Sequence, residues 1–254
     1  MDKKIRVGAV SYLNTKPLIY GFEMGNMANQ VELFFDYPAN IANMLLKDQI
    51  DIGLIPVAVI PILKEYHIIS DYCIGASQAV ASVCLFSDVP LTDIKLILVD
   101  YQSRTSAALL KILLKDYWNI EPELKETHEG YQEMIQGTTA GLIIGDRALK
   151  KRATSKYIYD LAEAWQNMTG LPFVFAAWVA NKKMPVTFVD AFNKTTGMGL
   201  DHIIEIVAKH AFAEYDLDLY YTTNIDYFLD AKKVKGMDLF LSKLSLYQYT
   251  TLSI

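Results

Sequence analysis

The stretch that decides the fold is IRVGAVSYLNTKPL, residues 5–18. Its apolar run, residues 5–10, is typical of a buried strand, and Pro17 is typical of the first turn of a helix. Ser11 and Asn14 lie in the turn between them, at the carboxyl end of the strand. Such strand ends line the ligand crevice of α/β proteins, although Asn14 is equally a residue type that caps helices. Both interpretations stay open at this point.

The same strand and helix alternation continues along the chain. Further apolar runs at residues 31–37, 51–59 and 94–100 are each followed by a segment with helical periodicity. This order predicts an α/β fold with mainly parallel sheets and helices on both faces.

Two long extended runs, near residues 80–88 and 172–181, enclose a central set of strand and helix units. They predict a second lobe, residues 87–178, inserted into a first lobe made of residues 1–86 and 179–254. Two crossing strands would join the lobes, with the ligand cleft between them. This arrangement resembles the type II periplasmic-binding-protein architecture, in which the lobes close by a hinge motion.

Composition and net charge limit the kinds of molecule that we expect the protein to bind. With 52% hydrophobic and 21% charged residues the chain should be globular, and its net charge of −5 argues against nucleic-acid binding. No run of 18 apolar residues predicts a membrane span, and the N-terminus lacks a signal-peptide core. We therefore expect a cytoplasmic protein that binds a small molecule. The sequence leaves its oligomeric state open.

Cofactor motifs are missing from the sequence. It contains no G-x-G-x-x-G, Walker loop, H-E-x-x-H or G-x-S-x-G, and Cys73 and Cys84 form neither a C-x-x-C nor a Cys/His cluster. We expect no metal and no cofactor.

The strongest local chemistry lies in DYQSRTSAALLKILL, residues 100–114, where an apolar strand is followed by a helix. The residues at the helix start are Ser103, Arg104, Thr105 and Ser106. Free N–H groups and the helix dipole favour an anion there, so hydroxyls and a guanidinium predict a carboxylate site. A serine cap with Arg104 in a surface ion pair would satisfy the same pattern.

Two more segments carry candidate residues. Gly145 and Asp146 follow the strand in AGLIIGDRAL, where Gly145 would let a ligand approach the backbone and Asp146 would either cap the helix or reach the cleft. Ser77 and Ser82 lie in the run that enters the second lobe, where a hinge strand could face the cleft.

Together these motifs resemble the menaquinone-biosynthesis enzymes of the futalosine route over nearly the whole chain. The motifs are RVGAVSYLNTKPL (6–18), GLIPVA (53–58), VASVCLFS (80–87), SRTSAALL (103–110), GLIIGDRAL (141–149), DLAEAWQNMTGLPFVFAAW (160–178) and NIDYFL (224–229). The SYLN opening resembles the chorismate dehydratase branch rather than the 1,4-dihydroxy-6-naphthoate synthase branch.

The resemblance implies a cofactor-independent hydro-lyase that converts chorismate to 3-[(1-carboxyvinyl)oxy]benzoate and water. It assigns catalytic roles to Asn14 and Ser82. The substrate would be held by Ser11, Ser103, Arg104, Thr105, Ser106, Gly145 and Asp146.

No general base stands out among these motifs. Our hypothesis is that the enolpyruvyl carboxylate of the substrate takes the proton, and Asp146 is the competing base. Two other functions stay open: the naphthoate synthase reaction, and a cytoplasmic protein that binds a small carboxylate without chemistry.

Overall fold

The computed structural model describes residues 4–247 of the chain. Its strands are β1 (Ile5–Val10), β2 (Val31–Asp36), β3 (Ile52–Pro56), β4 (His67–Ala76), β5 (Val83–Ser87), β6 (Leu96–Val99), β7 (Glu123–Glu126), β8 (Thr139–Ile144), β9 (Tyr157–Asp160), β10 (Phe173–Ala180) and β11 (Asp226–Phe228). Its α-helices are α1 (Lys16–Glu23), α2 (Pro38–Leu46), α3 (Arg104–Leu113), α4 (Asp146–Lys151), α5 (Leu161–Thr169), α6 (Val186–Gly197), α7 (Ile203–Lys209), α8 (Leu217–Leu219) and α9 (Ala231–Leu246). Short 3₁₀ and π turns extend or connect them.

The strands form two sheets, and each sheet with its packed helices makes one lobe. The first sheet has the order β11-β4-β10-β3-β1-β2, and the second has the order β7-β6-β8-β5-β9. Helices α2, α6 and α9 pack on strands of the first sheet, and α4 and α5 pack on strands of the second. The predicted two-lobed α/β fold is therefore confirmed.

The sheets are mixed, whereas the sequence predicted mainly parallel ones. Strand β1 pairs in parallel with β2 and β3, and β6 pairs in parallel with β7 and β8. Strands β10 and β5 run antiparallel to both of their neighbours. These two strands follow the crossings between lobes, so the chain enters each of them against the direction of the local β-α units.

The apolar run at 51–59 is divided between two elements. Strand β3 ends at Pro56, and a 3₁₀ helix, Val57–Ile62, follows it. Proline lacks the N–H that a sheet ladder needs, so Pro56 ends the pairing although the following residues stay apolar and buried.

One apolar core continues from lobe to lobe. Strand β5 shows how the second sheet is covered, because Val83 and Leu85 belong to the main core while Cys84 and Phe86 face a smaller cluster on the opposite side. Helix α3 bridges the lobes, since it packs on β8 of the second sheet and on β10 of the first.

The chain leaves the first sheet after β4 and enters the second at β5, through residues 77–82. It returns through residues 161–172, between β9 and β10. Neither crossing strand is shared by the two sheets. The lobe boundaries expected from the sequence, 86/87 and 178/179, stay a prediction, and residues 1–3 and 248–254 of the predicted first lobe lie outside the described residues.

Candidate active site

A small cavity of about 50 Å³ lies between the two lobes. Val10, Pro56 and Ile144 line it, and each is the last residue of its strand. Its polar lining comes from Tyr12, Asn14, Ser82, Ser103, Ser106 and Gly145. Its remaining lining is Pro38, Ile74, Val80, Val83, Phe175 and Ala176. The cavity is thus apolar with polar groups converging from both lobes.

Asn14 lies in the 3₁₀ turn between β1 and α1 and lines the cavity. It does not cap α1, because the helix begins without a side-chain cap and Asn14 Oδ1 instead accepts a hydrogen bond from Thr15 Oγ1 at 3.2 Å. The Tyr227 hydroxyl donates to the Asn14 backbone oxygen at 3.0 Å, which fixes the turn. The carboxamide also contacts the Tyr220 hydroxyl, and because its NH₂ group carries two hydrogens, one can serve a ligand.

Ser82 is almost fully buried and lies just before β5. Its neighbour Ala81 has a φ of 63°, in the left-handed region that costs a non-glycine residue free energy. The Asp160 carboxylate accepts hydrogen bonds from the backbone N–H groups of Val80 at 3.2 Å and Ala81 at 2.8 Å. These bonds hold the strained backbone that presents Ser82 to the cavity.

Asp160 is itself buried at the N-cap of α5, where it also accepts from the N–H groups of Ala162 and Glu163. Burial raises the pKa of Asp160, and the backbone hydrogen bonds act in the opposite direction. Cys84 donates its thiol to the same carboxylate at 3.6 Å, and burial raises the pKa of Cys84 well above its usual value. Asp160 therefore supports the Ser82 segment and does not line the cavity.

The four side chains at the start of α3, Ser103 to Ser106 (the SRTS turn), divide between the cavity and contacts with the other lobe. Ser103 caps α3, because its Oγ accepts from the Ser106 N–H at 3.2 Å, and both serines line the cavity. Arg104 Nη2 donates to Asn43 Oδ1 at 2.6 Å, and Thr105 Oγ1 accepts from the Ala58 N–H at 3.2 Å. Arg104 and Thr105 thus connect the lobes and are not among the cavity's lining residues.

Gly145 has a φ of 63° and a ψ of −148°, a conformation open essentially to glycine alone. Its N–H donates to the Ser82 carbonyl at 2.8 Å, and a Cβ at this position would lie 2.8 Å from the Tyr12 ring. Asp146, the first residue of α4, accepts from the Leu13 N–H across the cleft at 3.0 Å. Burial raises the pKa of Asp146, which lies beside the cavity without lining it.

Ser11, also expected to bind substrate, is exposed and outside the cavity lining. Its N–H donates to the Asp36 carbonyl at 3.1 Å, which continues the pairing of β1 with β2.

Sequence reasoning missed the network behind Tyr12. The Tyr12 hydroxyl donates to Gln102 Oε1, and Arg147 Nη2 donates to the same oxygen at 2.6 Å. Arg147 also forms an ion pair with the buried Asp100 carboxylate at 2.8 Å. The sequence did contain an indication of this network, because Asp100 follows an apolar strand and Arg147 directly follows the Gly145–Asp146 pair. The network joins the lobes on one side of the cavity.

Tyr220 is the other residue that the sequence did not indicate. It is fully buried, begins the π turn Tyr220–Asn224, and donates its hydroxyl to Ser82 Oγ at 2.7 Å. No local pattern in this C-terminal segment marks it, since its role depends on contact with a residue 138 positions earlier.

The cavity is uncharged, since none of its lining residues is Lys, Arg, His, Asp or Glu. Its donors are hydroxyls, the Asn14 carboxamide and the N-terminus of α3, whose dipole favours an anion. In the described part of the chain no three His, Cys, Asp or Glu side chains are grouped closely enough to hold a metal ion. Such a site offers neutral hydrogen-bond donors to a small anion beside an apolar wall.

The model of a family described as menaquinone biosynthesis matches residues 5–245. The chain belongs to this family.

Two relatives of the chain are named chorismate dehydratase. The protein from Thermus thermophilus is 27% identical over 94% of this chain and 95% of its own length. The protein from Campylobacter jejuni is 29% identical over 88% of this chain and 86% of its own length. The family assignment thus extends over both lobes.

Solved structures show the fold of this family member. The alkanesulfonate-binding protein of Xanthomonas axonopodis pv. citri, bound to MOPS, gives a TM-score of 0.65 at 11% identity, covering 98% of this chain and 93% of its own. A Candida albicans protein described as having the generic periplasmic-binding-protein fold gives 0.59 at 13% identity, covering 96% and 90%. The chain therefore has a periplasmic-binding-protein-like fold. Within residues 4–247, no helix is both long and apolar enough to cross a bilayer.

Proposed function

We propose that this protein is a cytoplasmic chorismate dehydratase that converts chorismate to 3-[(1-carboxyvinyl)oxy]benzoate and water, without a cofactor, in the futalosine route to menaquinone. The observation that carries the proposal is the convergence of Asn14, Ser82, Ser103 and Ser106 on one apolar interlobe cavity. The family and the names of the two relatives support the same reaction.

The proposed reaction requires hydrogen-bond donors to a carboxylate, and the residues that line the cavity include such donors. Chorismate loses the hydrogen on C3 and the hydroxyl on C4, and its ring becomes aromatic, so the overall reaction is favourable. The C3 hydrogen is vinylogously acidic through the ring carboxylate on C1. Hydrogen bonds to that carboxylate stabilise the charge that develops as the C3–H bond breaks.

Ser106 and the N-terminus of α3 would hold the ring carboxylate, and Ser103 would position Ser106, because Ser103 Oγ donates its hydrogen to Ser106 Oγ at 2.8 Å. These groups are neutral donors in an apolar site, where a hydrogen bond to an anion is stronger than in water. The apolar lining, including Phe175, would cover the ring.

Asn14 and Ser82 would orient the enolpyruvyl carboxylate, which takes the C3 proton in our scheme. The electrons of the C3–H bond enter the ring, the C4–O bond breaks, and the departing hydroxyl leaves as water with that proton. Asp146 is a weaker candidate for the base, because its carboxylate accepts the Leu13 N–H and lies outside the cavity lining.

The direct test is to incubate the purified protein with chorismate and to follow the aromatic product by ultraviolet absorbance and the loss of one water by mass spectrometry. Asn14→Ala and Ser82→Ala should each lower kcat about 100-fold or more, as loss of a transition-state donor does. Ser87→Ala is the matched control, since Ser87 is equally buried in β5 but lies outside the cavity.

Each alternative has its own outcome. Unchanged turnover in Asn14→Ala would refute the role of that residue. Binding of chorismate without conversion would favour a binding protein, and turnover only of a cyclic futalosine-derived substrate would favour the naphthoate synthase branch.

A further inference from the structure

Tyr220 lies where three separate segments of the chain meet behind the cavity. Its hydroxyl donates to Ser82 Oγ at 2.7 Å. The Asn14 carboxamide is hydrogen-bonded to the same hydroxyl. In the same π turn, Asn224 Nδ2 donates to the Ala79 carbonyl at 3.0 Å. One short turn thus contacts both the Ser82 side chain and the backbone that leads to it.

The Tyr220 phenol is a permanent hydrogen-bond donor. The side chain is fully buried, and burial raises the pKa of Tyr220 well above its usual value. The hydroxyl therefore keeps its proton across the whole physiological pH range.

This donation decides what Ser82 can do with its own proton. A serine hydroxyl has one hydrogen and can accept two hydrogen bonds. Because Ser82 Oγ accepts from Tyr220, its hydrogen must point elsewhere, and its protein acceptor, the Val80 carbonyl, is at 3.5 Å, the outer limit for such a bond. That hydrogen is available to a molecule in the cavity.

We propose that Tyr220 is a positioning residue that makes Ser82 a hydrogen-bond donor towards the substrate. The receiving group is the enolpyruvyl carboxylate or the departing hydroxyl of the substrate. The inference rests on the proposed function, since it names a further residue for the same site.

The test compares Tyr220→Phe with Tyr221→Phe. Both tyrosines are buried neighbours, but in the described part of the structure the Tyr221 hydroxyl has no hydrogen-bond partner. We expect Tyr220→Phe to lower kcat about 10- to 100-fold with KM changed less than about 3-fold, because a misplaced donor mainly affects the transition state. Tyr221→Phe should keep kcat within about 2-fold of the parent.

A double variant separates positioning from a general structural effect. If Tyr220 acts through Ser82, Tyr220→Phe should have almost no effect on kcat in the Ser82→Ala background. Multiplying effects, or an equal loss of kcat in Tyr221→Phe, would overturn the proposal.

A measurement independent of turnover keeps the two proposals distinguishable. In proton NMR spectra, the protected hydroxyl proton of Tyr220 should be absent in Tyr220→Phe and shifted in Ser82→Ala. An unshifted resonance refutes the contact even if the enzyme is active. A shifted resonance in a protein that leaves chorismate unchanged supports the contact and refutes the proposed reaction.

Discussion

Replacing Gly145 with alanine should destabilise the protein and disturb its cavity at the same time. Its φ of 63° and ψ of −148° cost a residue with a side chain about 1–3 kcal/mol. The added Cβ would lie 2.8–3.0 Å from three atoms of the Tyr12 ring, and such overpacking costs about 1–3 kcal/mol more. We therefore expect Gly145→Ala to lower the free energy of unfolding by about 2–6 kcal/mol, out of about 5–15 kcal/mol in total.

Gly137→Ala is the matched control for backbone strain alone. Gly137 also has a positive φ, 57°, but a Cβ there meets nothing within 4 Å. Its substitution should cost about 1–2 kcal/mol. Urea titration gives the free energy of both variants, and thermal unfolding should shift by about 2–4 °C for each kcal/mol in a chain of this size.

A second substitution at Tyr12 isolates the steric part of the Gly145 effect. Removing the ring with Tyr12→Ala should make Gly145→Ala less costly by about 1–2 kcal/mol than it is in the parent protein. Equal costs for Gly145→Ala and Gly137→Ala, or no relief from Tyr12→Ala, would refute the close approach of Gly145 to the ring.

Substituting the buried carboxylates Asp146 and Asp51 should change the free energy of unfolding in opposite directions. Because burial raises the pKa of Asp146, its charged form destabilises the fold as pH rises through that pKa, so Asp146→Asn should leave stability at pH 7 unchanged or higher in urea titration. Its kcat should stay within about 3-fold of the parent, whereas a loss of several orders of magnitude would identify Asp146 as the base. Burial alone would raise the pKa of Asp51, but hydrogen bonds from Arg6 and Lys182 outweigh it and hold that pKa well below its usual value. Asp51→Asn should lower the free energy of unfolding by about 3 kcal/mol at pH 7. The difference should shrink below about pH 4, because protonation of Asp51 removes the same stabilisation from the parent. A difference that stays constant with pH in urea titrations would contradict the ion pair.

The strands and helices were predictable where the local pattern determines the element. Continuous apolar runs indicated strands in both sheets, such as β1 and β6, and Pro17 correctly indicated the start of α1. Strand direction was not predictable in the same way, because an apolar run such as β10 looks identical whether it pairs in parallel or antiparallel. The mixed sheets follow from the crossings between lobes, which are a tertiary feature.

In the candidate site too, some residues were predictable from local sequence patterns and others depend on the tertiary fold. Asn14, Ser82 and Gly145 reach one cavity because strand ends and the crossing segment meet at the interlobe cleft. Helical geometry also accounts for the split in the SRTS turn, since positions three apart, Ser103 and Ser106, lie on one face. Tyr220 could not be found from a local pattern, because it comes from a distant turn and only the fold brings it to Ser82.

The N-terminus of α3 couples ligand contact to the arrangement of the lobes. Its Ser103 and Ser106 face the cavity, while the two residues between them bond to Asn43 and Ala58 of the first lobe. A ligand held by the serines and the bonds formed by Arg104 and Thr105 therefore require the same placement of one helix end. Because these groups belong to one rigid element, a ligand that binds this placement better than an open one must also shift the lobes towards closure. Closure would in turn exclude water from the cavity and so strengthen each hydrogen bond that its neutral donors make to an anion.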